Sequence, residues 1–282
     1  MTDNTPTIEL EQPPERARRT RRLKSVGYAL REKRDVMNAV ILRDVRTRFF
    51  NHGLGFLVVP LWPFCHLMAM LAIYGLVGRA VPFGDDLNLF FATGLLPTLI
   101  YMYVSRFMAI SLLANKPMLS FPVVHLLDIV LARAALEVIG GFLAILMIVG
   151  VLVLMGSNPM PNDPGQAVMC LFVVVAFAVG TGIIVSVFVM MQEFAFMGYM
   201  LVQIFVYLGS GTLFVTAYLP RQVSEILAWN PVLHAVEWMR TSFYVGYPDQ
   251  VMDKGYLIGW TLGSIFVGLL LERIMRARLL GA

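Results

Sequence analysis

The amino-acid sequence predicts an all-α membrane protein with six transmembrane helices, an N-terminal amphipathic interfacial helix and a re-entrant helical hairpin between the fifth and sixth spans. Three observations carry this. Of the 282 residues, 58% are hydrophobic and only 14% are charged, whereas soluble proteins run to about 25% charged. Charge is also segregated, with 12 of the 22 Lys and Arg in the first 52 residues. The remainder divides into uncharged runs of the length a bilayer core requires, about 20 apolar residues as a helix. An ordinary soluble domain is excluded.

Residues 1–25 are polar, Pro-containing and Arg-rich, with little to bury, and are expected to form a disordered basic tail rather than a cleavable signal peptide. Over 26–52 the pattern changes. Met37, Ile41, Val45 and Phe49 recur every four residues, while Lys33, Arg34, Arg43, Asp44, Arg46 and Arg48 occupy other faces, as in an amphipathic helix lying at the interface. A plain membrane anchor fits that periodicity equally well.

The span region is expected over 53–272. Its first run, 53–78, is interrupted only by His66, Pro60 and Pro63; the second is 87–105, and the third is 138–157, extended backwards by the mixed stretch 129–137. From 165 to 220 the only charged residue is Glu193, so this run reads as two spans joined by a tight turn at Met191-Gln192-Glu193. The sixth run is 255–271, followed by a short tail over 273–282. With six spans both ends share a side. Counting 17 Lys and Arg on that side against 4 on the other places both termini in the cytoplasm. The net charge of +4 then suits anionic lipid headgroups rather than nucleic acid.

The second cytoplasmic connection, 106–128, is longer than a turn needs. Pro117 and Pro122 divide it into two short helical pieces, a shape suited to docking a cytosolic partner. Arg133 and Glu137 follow at i,i+4 on the third span and read as a buried ion pair, the alternative being a proton or ion site. Beyond the fifth span, Ser210-Gly211 loosens the chain, Pro220 opens one short helix, and Asn230-Pro231 is an N-cap and N1 signal for a second. Neither can span, hence the re-entrant hairpin. His234, Glu237 and Arg240 recur every three residues on the second helix; with no nucleophile or metal-ligand set beside them they read as structural, not catalytic. Gly255, Gly259 and Gly263 give the sixth span a small-xxx-small stripe, for packing inside the protomer or across a dimer. Cys65 and Cys170 read as small core residues.

The order of parts resembles the membrane subunit of type 2 ABC exporters, in the branch that exports capsular and related polysaccharides. The resemblance covers roughly 35–275 and rests on three motifs. In ILRDVRTRFFNHGLGFLVVPLWPF the matching residues are Arg43, Asp44, Arg48, Leu54, Gly55 and Pro60; in NKPMLSFPVVHLLDIVLARAALE they are Asn115, Phe121, Pro122, Asp128, Ala132, Arg133 and Glu137. In SGTLFVTAYLPRQVSEILAWNPVLHAVEWMR they are Ser210, Gly211, Phe214, Leu219, Pro220, Asn230, Pro231, His234, Glu237 and Arg240. Asn51-His52 depart from the aromatic-Ser pair of many relatives.

The resemblance implies a homodimeric inner-membrane permease paired with two copies of a cytosolic ABC ATPase subunit, moving a lipid-linked capsular polysaccharide. ATP and Mg would be bound by that partner, and periplasmic or outer-membrane export proteins would receive the polymer. The 282 residues contain no G-x-x-x-x-G-K-[ST] phosphate cradle, so the power must come from another polypeptide. Asn115, Lys116, Pro117, Phe121 and Pro122 would form the ATPase-coupling loop, and Arg43, Arg46 and Arg48 would lie on a helix gating the cytoplasmic entrance. A sugar duct needs aromatic rings and hydrogen-bonding groups, for which Trp62, Tyr74, Tyr101, Tyr103, Tyr207, Phe214 and Tyr218 are the candidates; each fits an interfacial or lipid-facing aromatic equally. Competing readings are the same fold exporting O-antigen, teichoic acid or a small lipophilic compound, a membrane-embedded glycan-processing enzyme using His234 and Glu237, and a secondary transporter, for which intramembrane charge is scarce.

Overall fold

The structure is a computed structural model that describes residues 26–48 and 58–281. Among them all regular structure is helical: α1 (Val26–Arg48), α2 (Val58–Leu76), α3 (Leu87–Ala109), α4 (Ser111–Ala114), α5 (Leu126–Leu154), α6 (Pro164–Met191), α7 (Ala195–Leu208), α8 (Arg221–Leu227), α9 (Pro231–Phe243) and α10 (Lys254–Gly281). Short 3-10 turns cover Lys116–Ser120 and Thr216–Tyr218. Five helices, α2, α3, α5, α6 and α10, are long and apolar enough to cross a membrane. Where the sequence predicts the remaining span, α7 has 14 residues, about 21 Å at 1.5 Å per residue, against a core of about 30 Å. Its stop is local: Gly209 follows, and Gly211 takes φ +73, a left-handed conformation open to glycine.

Helix starts follow capping chemistry. Asp86 Oδ1 accepts the N–H of Asn88 at 2.8 Å and of Leu89 at 3.3 Å to open α3, and Asp163 before Pro164 accepts from Gln166 at 3.0 Å to open α6. At α5, Asp128 Oδ2 accepts from the His125 backbone N–H at 3.2 Å. No comparable stop lies near 272, so the expected tail over 273–282 continues as helix to Gly281. Residues 49–57, which include Phe49 and the Leu54-Gly55 step, lie outside the described residues, as does the tail 1–25.

The helices are organised around α3. Two-thirds of its most apolar window is buried (67%), against 28–39% for the other four candidate spans, and α2, α5, α6 and α9 pack against it. On one side of α3 the core is built from Met108, Leu126, Ile129, Val174 and Trp238; on the other it is built from Leu67, Phe90, Phe91, Leu99 and Ile148. The helix pair in most extensive contact is α6 with α10. A Cβ at Gly180 would lie 2.7 Å from the Ile265 backbone nitrogen, and one at Gly268 would lie 3.1 Å from the Gly180 carbonyl oxygen. The predicted stripe is therefore not the one used inside the protomer, since nothing approaches within 4 Å of a Cβ at Gly259 or Gly263. Cys170 is buried as expected, with Sγ 3.3 Å from the Ala235 carbonyl, but Cys65 is exposed, because it falls on the outward face of α2. By contrast α7 is held to α3 mainly through Tyr199 and Gln203, leaving Met197, Leu201, Phe205 and Leu208 exposed.

Candidate functional site

Three groupings gather the residues singled out by the sequence. The first joins α1 to the connection between α3 and α5. Two short pieces form there, α4 and the 3-10 turn, with Asn115 between them. Asn115 is buried; its Nδ2 donates to the Ser111 carbonyl at 3.0 Å, and its Oδ1 accepts from Arg43 Nη1 of α1 at 3.0 Å. Lys116, Pro117, Phe121 and Pro122 are exposed, with Phe121 at 60%. Arg46 is exposed too, while the Arg48 side chain lies outside the described residues.

Arg133, 1% exposed, pairs with Glu137 one turn on and with Asp44 Oδ2 of α1 at 3.4 Å, its guanidinium 5.0 Å from the Phe107 ring. Lys33 of α1 meets Asp128 Oδ1 at 3.2 Å. Asp44 and Asp128 are thus ion-pair partners whose pairings the motifs alone do not assign. The available signal is a carboxylate set among Arg43, Arg46 and Arg48. The helix also rotates from the expected face: Val40 and Asp44 are buried, and Met37, Ile41 and Val45 are half-buried.

The second grouping surrounds α9. Asn230 caps it, with Oδ1 accepting the Val232 N–H at 3.1 Å, while Asn230 Nδ2 donates to the Val206 carbonyl near the end of α7 at 2.8 Å. His234, Glu237 and Arg240 do not form one stack. The His234 Nε2–H donates to the Ala228 carbonyl at 2.8 Å and Nδ1 accepts the Asp253 N–H at 3.0 Å, so this neutral tautomer joins the α8–α9 turn to the start of α10. Glu237 Oε1 accepts from Thr216 Oγ1 at 3.0 Å and from the Tyr247 hydroxyl at 3.1 Å.

Arg240 lies over the Phe90 ring at 3.9 Å and donates to the carbonyls of Gly211, Phe214 and Thr212 at 2.8, 2.8 and 2.7 Å. A guanidinium is suited to this because its planar fork serves several acceptors at once. Ser210 closes the loop through Thr212 Oγ1 at 2.5 Å. Pro220 precedes α8 as its N-cap residue, and Pro231 is the first residue of α9. Burial holds the Glu237 carboxyl above its ordinary range, against the opposing pull of Arg240 and of the Thr216 and Tyr247 hydrogen bonds. All these groups turn toward protein, and the arrangement positions the 210–218 segment.

The third grouping is an aromatic wall on α2, α3 and α7. The Tyr103 hydroxyl is 3.3 Å from His66 Nδ1, the His66 ring is 5.7 Å from Tyr207, and Tyr74 stacks on Phe91 at 4.5 Å. Trp62 is exposed on α2. Tyr101 does not join them. Two residues from Tyr103 on a helix is a turn of about 200°, and Tyr101 is stacked on Phe177 at 4.8 Å in the core. Phe214 and Tyr218 belong to the segment after α7, half-buried and exposed respectively. In the sequence His66 is only an interruption of an apolar run; its half-buried place beside Tyr103 makes it part of the wall.

No protein-family model matches the chain. It is 28% identical over 239 residues to the polysialic acid transport protein KpsM of Escherichia coli, covering 84% of this chain and 92% of that protein. It is 28% identical over 242 residues to the capsule polysaccharide export inner-membrane protein BexB of Haemophilus influenzae, covering 84% and 90%. The chain is a homologue of capsule polysaccharide export inner-membrane proteins. Such a relative in Neisseria meningitidis serogroup B, CtrC, is 27% identical over 250 residues, covering 87% of this chain and 92% of its own length. The alignments to these relatives are long enough to include most of the three groupings rather than one motif.

Proposed function

We propose that the chain is the membrane permease subunit of an ATP-driven exporter that moves a capsular polysaccharide across a bacterial inner membrane, powered by a separate ATPase subunit. The observation that carries this is homology to export permeases along nearly their whole length. Residues 26–52 act as the interfacial helix, 53–272 as the permease domain and 273–282 as its cytoplasmic C-terminal tail, helical through Gly281. Lipid linkage of the cargo, two ATPase copies and a homodimer belong to the same reading.

The crossing count is proposed as six, with α7 and the 209–218 segment together completing the fifth. In support, α7 starts beside the end of α6, while its other end is tied by Asn230 to α9, which packs by the Trp238–Gln166 bond against the start of α6. Then α8 and α9 dip back into the outer boundary as a re-entrant hairpin. On the cytoplasmic side Phe121 and Pro122 present an exposed apolar tip for the ATPase, flanked by Lys116. The buried Asn115–Arg43 bond carries its movement to α1, the helix proposed as the gate.

The test is reconstitution with the partner ATPase in proteoliposomes. Lys116→Glu and Pro122→Ala are each expected to reduce the stimulation of ATP hydrolysis by the permease several-fold while the melting temperature stays near wild type. Normal coupling in both variants would move the docking site elsewhere, and ATP hydrolysis by the purified chain alone would end the permease reading.

A further inference from the structure

The helix proposed as the gate is fastened by three polar contacts of one construction. Lys33 meets Asp128 at 3.2 Å, Arg43 donates to Asn115 Oδ1 at 3.0 Å, and Asp44 pairs with Arg133 at 3.4 Å. On the far side of each contact, the partner also holds a second group from its own segment. Asp128 accepts the His125 backbone N–H at 3.2 Å, Asn115 Nδ2 donates to the Ser111 carbonyl at 3.0 Å, and Arg133 pairs with Glu137. Removing one member of a buried pair is costly because it strands the other charge. Here neither Asp128 nor Arg133 is stranded when α1 leaves. The groups that α1 takes with it are Lys33, whose side chain is already 57% exposed, Arg43, half-buried, and Asp44, which would turn to water.

The apolar contacts are replaceable in the same way. Val40 is buried in the core that includes Leu126 and Ile129 of α5, and Met37 and Ile41 pack against it. An amphipathic helix buries such a stripe about 5–10 Å into the headgroup boundary of a bilayer, so the stripe has a second apolar home at the membrane surface. A crevice of about 280 Å³ between Val36 of α1 and Pro122, His125 and Asp128 leaves the contact open along its N-terminal half. The two ion pairs have opposite polarity, with the cation on α1 at Lys33 and the carboxylate on α1 at Asp44. A slide of α1 that brought Lys33 toward Arg133 would set like charges together, so α1 returns to one register. We infer that Lys33 and Asp44 are positioning residues that hold α1 on α5 in one state of the transport cycle and release it in another. His125 and Glu137 keep Asp128 and Arg133 partnered meanwhile. The inference rests on the permease reading with α1 as its gate, and adds how that gate is held.

The test is labelling of Val40→Cys by N-ethylmaleimide in the full chain in lipid nanodiscs, with Cys65→Ser and Cys170→Ala removing the native thiols. Val40 is 1% exposed with α1 docked, so the labelling rate reports the released fraction. With the partner ATPase bound, ATP is expected to raise the rate about tenfold. Without partner or nucleotide, Asp44→Asn and Lys33→Gln should each raise it about threefold or more. The double variant Asp44→Arg, Arg133→Asp restores an ion pair between the helices, so its resting rate should return to that of the wild type. When α1 departs, however, it leaves two carboxylates one turn apart on α5, so ATP should no longer raise the rate and export should fall. A merely structural pair would be rescued in both respects. Resting labelling unchanged by Asp44→Asn and Lys33→Gln would overturn the tethers, and a rate that ATP leaves unchanged in the otherwise native chain would overturn release. A double variant that labels and exports like wild type would overturn the part given to Glu137. The resting measurements need no partner, so failure of the ATPase to bind would count against the permease reading alone.

Discussion

Arg240 holds a loop of carbonyls by donating to three of them, and the space it needs is made by a glycine on another helix. A Cβ at Gly94 would stand 2.7 Å from Arg240 Nη2 and 3.1 Å from the Thr212 carbonyl oxygen. Gly94→Ala is therefore expected to push the guanidinium off its acceptors, costing about 1–3 kcal/mol as overpacking despite the better helix propensity of Ala. A melting temperature unchanged in detergent would show that the loop absorbs the methyl. Glu237 gives a pH test. Its folded-state carboxyl is raised above the unfolded value, burial being the largest cause. Its contribution to stability is then complete below an unfolded pKa of about 4.3 and is lost as pH rises through the higher folded value. Glu237→Gln keeps an acceptor for Thr216 and Tyr247 but cannot ionise, so its melting temperature should vary less over that window; superimposable profiles would refute the shift.

The element scale separates two sets of glycines that look alike in sequence. At Gly180 an added Cβ meets backbone of α10, whereas at Gly259 and Gly263 it meets open space within the protomer. Gly180→Ala should destabilise the α6–α10 pair by about 1–3 kcal/mol, measured by thermal unfolding. Gly263→Ala should be neutral or slightly stabilising in the same assay, by at most about 1 kcal/mol. A loss there equal to that at Gly180 would mean the stripe is covered in the assembled protein. For α7 the expectation concerns sidedness. If it crosses, reporters placed at Glu193 and at Arg221 will report opposite compartments; the same compartment for both would leave five crossings.

Across the whole molecule, the features legible in the sequence are those whose chemistry is confined to a few neighbouring residues. Asn230-Pro231 is capping chemistry within one turn, and it starts α9 at its own position in the chain. The Arg133–Glu137 pair at i,i+4 is equally local. Asp44 is 89 residues from Arg133, so its partnership depends on how α1 lies across α5, which no local pattern encodes. Helix rotation is hidden for the same reason, and Tyr101 and Tyr103, both aromatic on one apolar helix, face opposite surroundings. The sequence overstates the length of α7 because 194–220 is uncharged throughout, while the break comes from backbone conformation at Gly209 and Gly211.

The central position of α3 also bears on how the molecule is made. During synthesis it emerges second among the candidate spans, with Thr93, Thr98 and Ser105 on faces that are buried in the finished protein. Its covering comes from α5, α6 and finally α9, translated more than a hundred residues later. Until then a moderately polar helix must wait in lipid, where its hydroxyls are satisfied by their own backbone, as Thr98 Oγ1 is by Gly94 and Ser105 Oγ by Tyr101. Nascent chains arrested before Arg240 should therefore be short-lived, recognised by quality-control proteases as incomplete, and completion of α9 sets the moment at which the subunit becomes durable.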